Sequence, residues 1–272
     1  MIGGINLKKI LSLILVALLS LSLIIGCSNK ESELDKIKIG VSPDPHGKLV
    51  QVVVDDLKKE GIDVEIIEFT DYVTPNLALA EGELDANYFQ HLPYLNDFIS
   101  KENLDLIELG SVHIEPMALY SNNLNSIDDI KDGGEIAIPN DTVNGGRALL
   151  LLEANNIIKL KEDAGLDATE NDIIGNPKNI KFVPLEAAYI PRALSDVDAA
   201  VINGNYALES GLNPVEDSLL IEGTDSPYAN IVAVRAGEEK DEKYIKLIEA
   251  LQSNKIKDYM KENYDGAVVP AF

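Results

Sequence analysis

The chain has no tryptophan, a single cysteine, three histidines and only three arginines among its 272 residues. One cysteine excludes a disulfide within the chain, so the fold must rest on packed cores. Arg147, Arg192 and Arg235 stand against twenty lysines and a formal net charge of −23. That balance excludes the basic surface that phosphate neutralisation requires, and nucleic acid is not expected as a partner. The acidic residues are scattered rather than blocked, which reads as a solvated, self-repelling surface. His46, His91 and His113 match no zinc spacing, and neither HExxH nor a histidine-rich loop is present, so no metal is expected. The Gly145-Gly146 pair lacks the Lys-Ser/Thr of a phosphate loop and the three-glycine spacing of a dinucleotide loop. No Ser or Cys nucleophile motif occurs. The sequence is expected to be neither an enzyme nor the carrier of a cofactor.

What is present begins at the N-terminus. Lys8 and Lys9 precede the apolar run 10–25, broken only by Ser12, Ser20 and Ser22, and Gly26 then leads to Cys27. That order predicts a secretory signal over residues 1–26, the run being short for a membrane span. Ile24-Ile25-Gly26-Cys27 resembles a lipobox, in which Cys27 is lipidated and becomes the mature N-terminus. An uncleaved anchor helix is the alternative; either way the remainder lies on the extracytoplasmic face, tethered to the membrane. Residues 27–36 then form the lipidated cysteine and a polar, flexible tether.

From residue 37 the chain alternates strand and helix. Strand 37–41, a helix with Leu49, Val50, Val53, Val54 and Leu57 on one face, and strand 62–69 make a βαβ unit with a parallel sheet. A helical stretch at 73–82, a strand at 84–89, a helix at 91–102 and a strand at 113–121 follow. A second α/β series runs from strand 135–139 through strands 180–184 and 197–203, before strand 229–235 and two closing helices. The expectation is a two-lobed α/β protein of the type II periplasmic-binding-protein-like fold. Lobe 1 comprises residues 37–120 plus 229–272, lobe 2 residues 121–228, and the two chain crossings form a hinge. Ligands of such folds sit in the interlobe cleft, beyond the carboxyl ends of parallel strands.

Candidate residues stand at those ends. In 87-NYFQHLPYLNDF-98 two tyrosines, two phenylalanines and a histidine crowd together, which suits either a helical core or a sleeve for a polarisable apolar group such as a thioether. Arg147 follows the turn 140-NDTVNGG-146 at a helix start, where a guanidinium can grip a carboxylate through two parallel hydrogen bonds. A surface arginine beside a cap has the same spacing. Asn203 and Asn230 can accept from an ammonium or donate to a carboxylate, and each also suits a turn or cap.

Taken together, 85-DANYFQHLPYL-95, 138-IPNDTVNGGRALLLLE-153, 176-NPKNIKFVPLEAAYIPRAL-194, 199-AAVINGNYA-207 and 226-SPYAN-230 resemble the NlpA family of methionine-binding lipoproteins of the MetQ type, over essentially the whole mature chain. The resemblance implies a lipid-anchored solute-binding protein that delivers L-methionine to the permease and ATPase of an ABC importer. It further implies that Arg147, in the NDxxNxGR stretch, holds the ligand carboxylate and that Asn144 of the same stretch is a ligand-binding residue. Asn203 and Asn230 bind the amino and carboxylate groups; Tyr88, Phe89, His91, Tyr94 and His113 line the side-chain pocket. The segment 43-PDPHGK-48 departs from the family's PGPHAE pattern at Asp44, Gly47 and Lys48. Alternative ligands are D-methionine, another apolar amino acid, or a methionine-containing dipeptide such as Gly-Met. From another class, a metal-dependent hydrolase built on His91, His113 and Glu115 is the competing expectation.

Overall fold

The computed structural model describes residues 34–223 and 226–272. The expected signal, Cys27 and the tether up to residue 33 lie outside the described residues. Among those described, no helix is long and apolar enough to cross a membrane.

β1 (Asp35–Val41) leads through a kinked turn at 43–47 into α1 (Lys48–Lys59) and β2 (Ile62–Glu68). α1 forms where Leu49, Val50, Val53 and Leu57 recur at helical spacing, and all four are buried. Gly61 then turns the chain with φ of +89°, a left-handed conformation that costs glycine little. β1 begins at Asp35, inside the segment expected to be tether. Its amide donates to the Gly61 carbonyl at 2.9 Å, and because strand pairing uses only backbone groups, the exposed Asp35 and Lys36 extend the ladder with β2. α2 (Thr74–Ala80), β3 (Ala86–His91), α3 (Leu92–Glu102) and β4 (Leu106–Ile114) follow.

The chain then crosses to a second sheet at residues 115–117. β5 (Ala118–Tyr120), β6 (Glu135–Pro139), α4 (Thr142–Ala154), a small hairpin of β7 (Lys159–Leu160) and β8 (Ile173–Gly175), and β9 (Lys181–Leu185) come next. After them run α5 (Ile190–Ala193), β10 (Ala199–Ile202), α6 (Gly204–Glu209) and β11 (Leu220–Ile221). β12 (Ala229–Arg235) returns to the first sheet, and α7 (Glu242–Leu251), α8 (Asn254–Tyr264) and β13 (Val269–Pro270) complete the chain.

Two lobes result. The six-stranded sheet has the order β13-β4-β12-β3-β1-β2 and the five-stranded sheet the order β11-β5-β10-β6-β9. In the first, β1 runs parallel to β2 and β3; in the second, β6 runs parallel to β9 and β10. The strand expected over 113–121 is two strands. Pro116 lacks an amide proton and breaks the ladder, and β5 pairs with β10 and β11 of the second sheet. The first crossing therefore precedes residue 118, ahead of the boundary expected after residue 120.

Both sheets are mixed, with β12 antiparallel to β3 and β4 in the first and β5 antiparallel to β10 and β11 in the second, and each is packed on both faces. Ile37 and Ile39 pack with Leu57 of α1 and Leu247 of α7, while Ile231 and Ala233 pack with Leu79 and Leu95 on the opposite face. In the second lobe Ile136 and Ile138 meet Leu149 and Leu152 of α4, and the alternate residue Ala137 meets Ile190 and Tyr206 behind. The two crossings are tied together, since the Glu222 amide donates to the Met117 carbonyl at 2.9 Å.

Candidate functional site

Between the lobes lies a small cavity lined by residues of both. Its rim is set by strand ends, where side chains escape the sheet. β3 ends at His91, whose ring also caps α3 by accepting the Tyr94 amide at 3.2 Å, so one residue closes a strand and opens a helix. From this corner Phe89, Gln90, His91 and Tyr94 reach the cavity, joined by Tyr72 from the loop after β2.

The rings form one apolar wall. Tyr72 stands 5.9 Å from both Phe89 and Tyr94, centroid to centroid, and 4.9 Å from Tyr206 of the opposite lobe. Tyr72 donates its hydroxyl to Asn205 across the cleft, and Tyr206 donates to the Thr70 carbonyl at 3.1 Å in the reverse direction. These contacts hold the lobes closed.

The opposite wall is polar. Asp141 caps α4 by accepting the Asn144 amide at 2.8 Å, and both its oxygens accept from the Asn144 side chain at 3.0 Å. That fixes Asn144 with its oxygen outward, where it accepts from His91 Nε2 at 3.1 Å and Asn203 Nδ2 at 2.8 Å. Asn203 Oδ1 is left buried without a partner among the described residues. Because His91 Nδ1 already accepts from Tyr94, its proton sits on Nε2. Burial, then the nearby Arg147 charge, pull its pKa down to about 3, so the ring is neutral.

One turn along α4, Arg147 is 4% exposed. Its Nε donates to Glu222 Oε1 at 3.1 Å, and its Nη2 donates to Glu222 Oε2 and, at 2.9 Å, to the Glu115 carbonyl. The Tyr228 ring lies 4.2 Å from the guanidinium carbon. Nη1 carries none of these bonds among the described residues. Close approach of α4 to the segment ahead of β8 depends on Gly146, where a Cβ would fall 2.3 Å from the Leu166 carbonyl oxygen.

Seven of the nine expected ligand residues line this cavity: Phe89, His91 and Tyr94 from β3 and α3, Asn144 and Arg147 from α4, Asn203, and Asn230 from β12. Tyr88 and His113 do not. A bulge against β12 interrupts the alternation of β3 at Phe89, so Phe89, Gln90 and His91 all line the cavity, while Tyr88 before it is fully buried in the first lobe's core. There the Tyr88 hydroxyl bonds His113 Nδ1, His113 Nε2 meets Glu115 Oε1 at 2.6 Å, and His46 Nε2 lies 3.3 Å from the same oxygen and 3.1 Å from Asn230 Oδ1. Burial lowers the imidazoles to about 4 for His46 and about 3 for His113, leaving both neutral. His46, His113 and Glu115 bring three possible metal-ligand atoms within 4.8 Å of one another. A separation of 2.6 Å is that of a hydrogen bond, however, whereas two atoms each about 2.0–2.1 Å from a tetrahedral zinc stand well beyond 3 Å apart. The hydrolase set is also divided, with His91 across the cavity bonded to Asn144.

Tyr72, Gln90, Glu115 and Asn205 line the cavity without having been expected to bind ligand. Tyr72 lies in the loop after β2 and Asn205 in the first turn of α6 after β10, near strand ends like the others. Glu115 carries no such mark, because it sits on the crossing between sheets.

The profile of the NlpA lipoprotein family matches residues 37–272. The D-methionine-binding lipoprotein MetQ of Salmonella typhimurium is 41% identical over 247 residues, which span 90% of this chain and 91% of that protein. The membrane lipoprotein TpN32 of Treponema pallidum is 38% identical over 266 residues, 97% of this chain and 98% of that one. Among solved structures, a nutrient binding protein from Burkholderia cenocepacia bound to methionine superposes with a TM-score of 0.84 at 45% identity, covering 87% of this chain and 100% of that one. Matched along nearly its whole mature length, with the same two-lobed fold, the chain belongs to the NlpA lipoprotein family.

Proposed function

We propose that the cleft binds methionine and that the protein, anchored through Cys27 on the extracytoplasmic face of the membrane, hands it to the permease and ATPase of an ABC importer. The observation that carries this is the cavity's division into two ends. Tyr72, Phe89 and Tyr94 form an aromatic wall, and Arg147 with three buried asparagines forms a polar one. A zwitterion with a short thioether arm matches both.

In this arrangement the ligand carboxylate takes Arg147 Nη1 and the Asn230 amide nitrogen, whose partner oxygen is already occupied by His46. Asn203 Oδ1, unpaired among the described residues, accepts from the ammonium. The thioether lies against the rings, each sulfur contact being worth about 0.3 to 1.5 kcal/mol. The residues on both crossings act as a hinge, and closure on the ligand makes the surface the permease recognises. The methionine-binding relatives named above support the ligand and the absence of catalysis alike.

Calorimetric titration of the emptied protein with L-methionine, D-methionine and Gly-Met tests the proposal. It expects saturable binding of methionine at one site per chain; heat from none of the three rejects it.

A further inference from the structure

His46 does not line the cavity, yet its Nε2 bonds Asn230, which does. The ring is 1% exposed and is held edge-on by Tyr88, 4.7 Å away between centroids, and by His113, 4.9 Å away. The turn that carries it is the stretch that departs from the family's PGPHAE pattern, and two of the departing residues pin it. Asp44 accepts from the Tyr264 hydroxyl of α8 at 2.6 Å and from Lys48 at 2.5 Å.

Two side chains meet Nε2: the Asn230 amide at 3.1 Å and Glu115 Oε1 at 3.3 Å. An amide can offer an imidazole either its oxygen or its nitrogen, whereas a carboxylate offers only oxygen. Glu115 Oε1 already accepts from His113 Nε2 at 2.6 Å, and Oε2 sits against Gly204 and the Asn205 amide. It has no proton to give His46. A bare Nε2 would therefore set its lone pair against a carboxylate oxygen, so the single proton of this neutral ring belongs on Nε2. Nδ1 is left buried with no partner among the described residues. The other tautomer would cost more, with an unpaired donor at Nδ1 and opposed lone pairs at Nε2. With the proton on Nε2, the Asn230 atom that faces it is the oxygen, and the amide nitrogen is turned away from His46. That nitrogen makes no bond among the described residues, although Asn230 lines the cavity. His46 and Asn230 both belong to the first lobe, so their bond does not depend on lobe closure, unlike the His91 to Asn144 bond between lobes.

We infer that His46 is a positioning residue: its Nε2 proton fixes the Asn230 amide so that the cleft presents a donor, not an acceptor, to the group held by Arg147, which selects a free carboxylate over a carboxamide. The inference rests on the methionine reading of the cleft. A carboxylate has acceptor oxygens for both Arg147 and Asn230 Nδ2. The primary amide of methioninamide has one oxygen, and its NH2 would face the Asn230 nitrogen, donor against donor. An Asn230 free to turn would accept from that NH2 instead, and the discrimination would shrink.

The first measurement is the His46 tautomer, read by long-range proton–nitrogen NMR on the ligand-free protein, with His46→Gln to assign the signals. The proton should sit on Nε2 near neutral pH. A proton on Nδ1 overturns the inference, since Nε2 would then accept from the Asn230 nitrogen. The second is calorimetric titration with L-methionine and L-methioninamide. His46→Leu should weaken methionine about tenfold or more, as losing an oriented hydrogen bond to a charged group does, and methioninamide by less than about threefold. His46→Gln, whose amide nitrogen can stand in for Nε2, should recover most of the loss. Because His46 also meets Glu115, His46→Leu is combined with Asn230→Ala. If His46 acts through Asn230, the double variant should be scarcely weaker than Asn230→Ala alone. A double variant weakened by the product of the two single effects makes His46 merely structural and overturns the inference, and so does equal weakening of both ligands. If the leucine variant does not fold, the tautomer decides. A wild type with the proton on Nε2 that binds no methionine rejects the methionine reading and the ligand preference with it, whereas methionine binding with the proton on Nδ1 rejects only the role of His46.

Discussion

Arg147 is held by Glu222 beside the cavity that it lines: the guanidinium meets both carboxylate oxygens through Nε and Nη2, over the ring of Tyr228. Glu222 lies on the second crossing, and its side chain also accepts the Met117 amide of the first crossing at 3.2 Å. Arg147, the proposed anion receptor, is thus fastened to the two chain crossings rather than to a lobe surface.

Replacing Arg147 separates charge from geometry. Arg147→Ala should weaken methionine binding by about two powers of ten or more, following the 2 to 5 kcal/mol typical of truncating a buried charged partner. Arg147→Lys keeps the charge but not the fork and should recover only part of it. Glu222→Gln, which loosens the guanidinium without removing it, should cost less than Arg147→Ala. Calorimetry on the three variants checks the order, and equal affinity for Arg147→Ala and wild type would rule out the carboxylate assignment.

Tyr72 joins the lobes and lines the apolar wall at once. Tyr72→Phe keeps the ring and loses the hydroxyl bond to Asn205, so affinity should fall only a few-fold. Tyr72→Ala removes the sulfur contact as well and should fall further, by up to about tenfold more. Indistinguishable affinities for the two variants would show that the ring does not touch the ligand.

Gly146→Ala tests packing rather than binding. Its Cβ would meet the Leu166 carbonyl oxygen at 2.3 Å and the Ala168 amide nitrogen at 3.0 Å, both backbone atoms unable to rotate away. The expected destabilisation is about 1 to 3 kcal/mol, seen as a lower thermal midpoint. An unchanged midpoint contradicts the close approach.

His91 should leave a signature in acid. Its folded pKa is held down to about 3 by burial first and by Arg147 second, and near 6.5 it charges freely once unfolded. Between those values the unfolded chain binds a proton that the fold does not. Stability from this residue is therefore complete above about pH 6.5 and is lost as pH falls toward 3. Urea denaturation of wild type should decline with acidification more steeply than that of His91→Gln, by up to about 1.4 kcal/mol per pH unit. Parallel profiles would contradict a neutral His91.

Much of this site is legible in the sequence because the rule that locates it is local. Phe89 and His91 stand in the last half of β3, and Asn144 and Arg147 in the first turns of α4 just after β6, at the carboxyl ends of parallel strands where a ligand can reach. Tyr88 misleads because the aromatic crowding at 87–98 reveals neither strand parity nor the bulge at Phe89, and together these decide which rings face the cleft. Glu115 is illegible for a different reason. Its environment is assembled from His46, His113 and Gly204, which no local pattern connects, and Pro116 hides the crossing inside an apparently continuous strand. The β7 and β8 hairpin escapes because strands of two and three residues carry no periodicity.

The most direct test of the account is mass spectrometry of the small molecules released when purified mature protein is denatured, followed by titration of the emptied chain with methionine. The account predicts methionine in about equal amount to protein and its rebinding at one site. A different released ligand, or an emptied protein that ignores methionine, would contradict it.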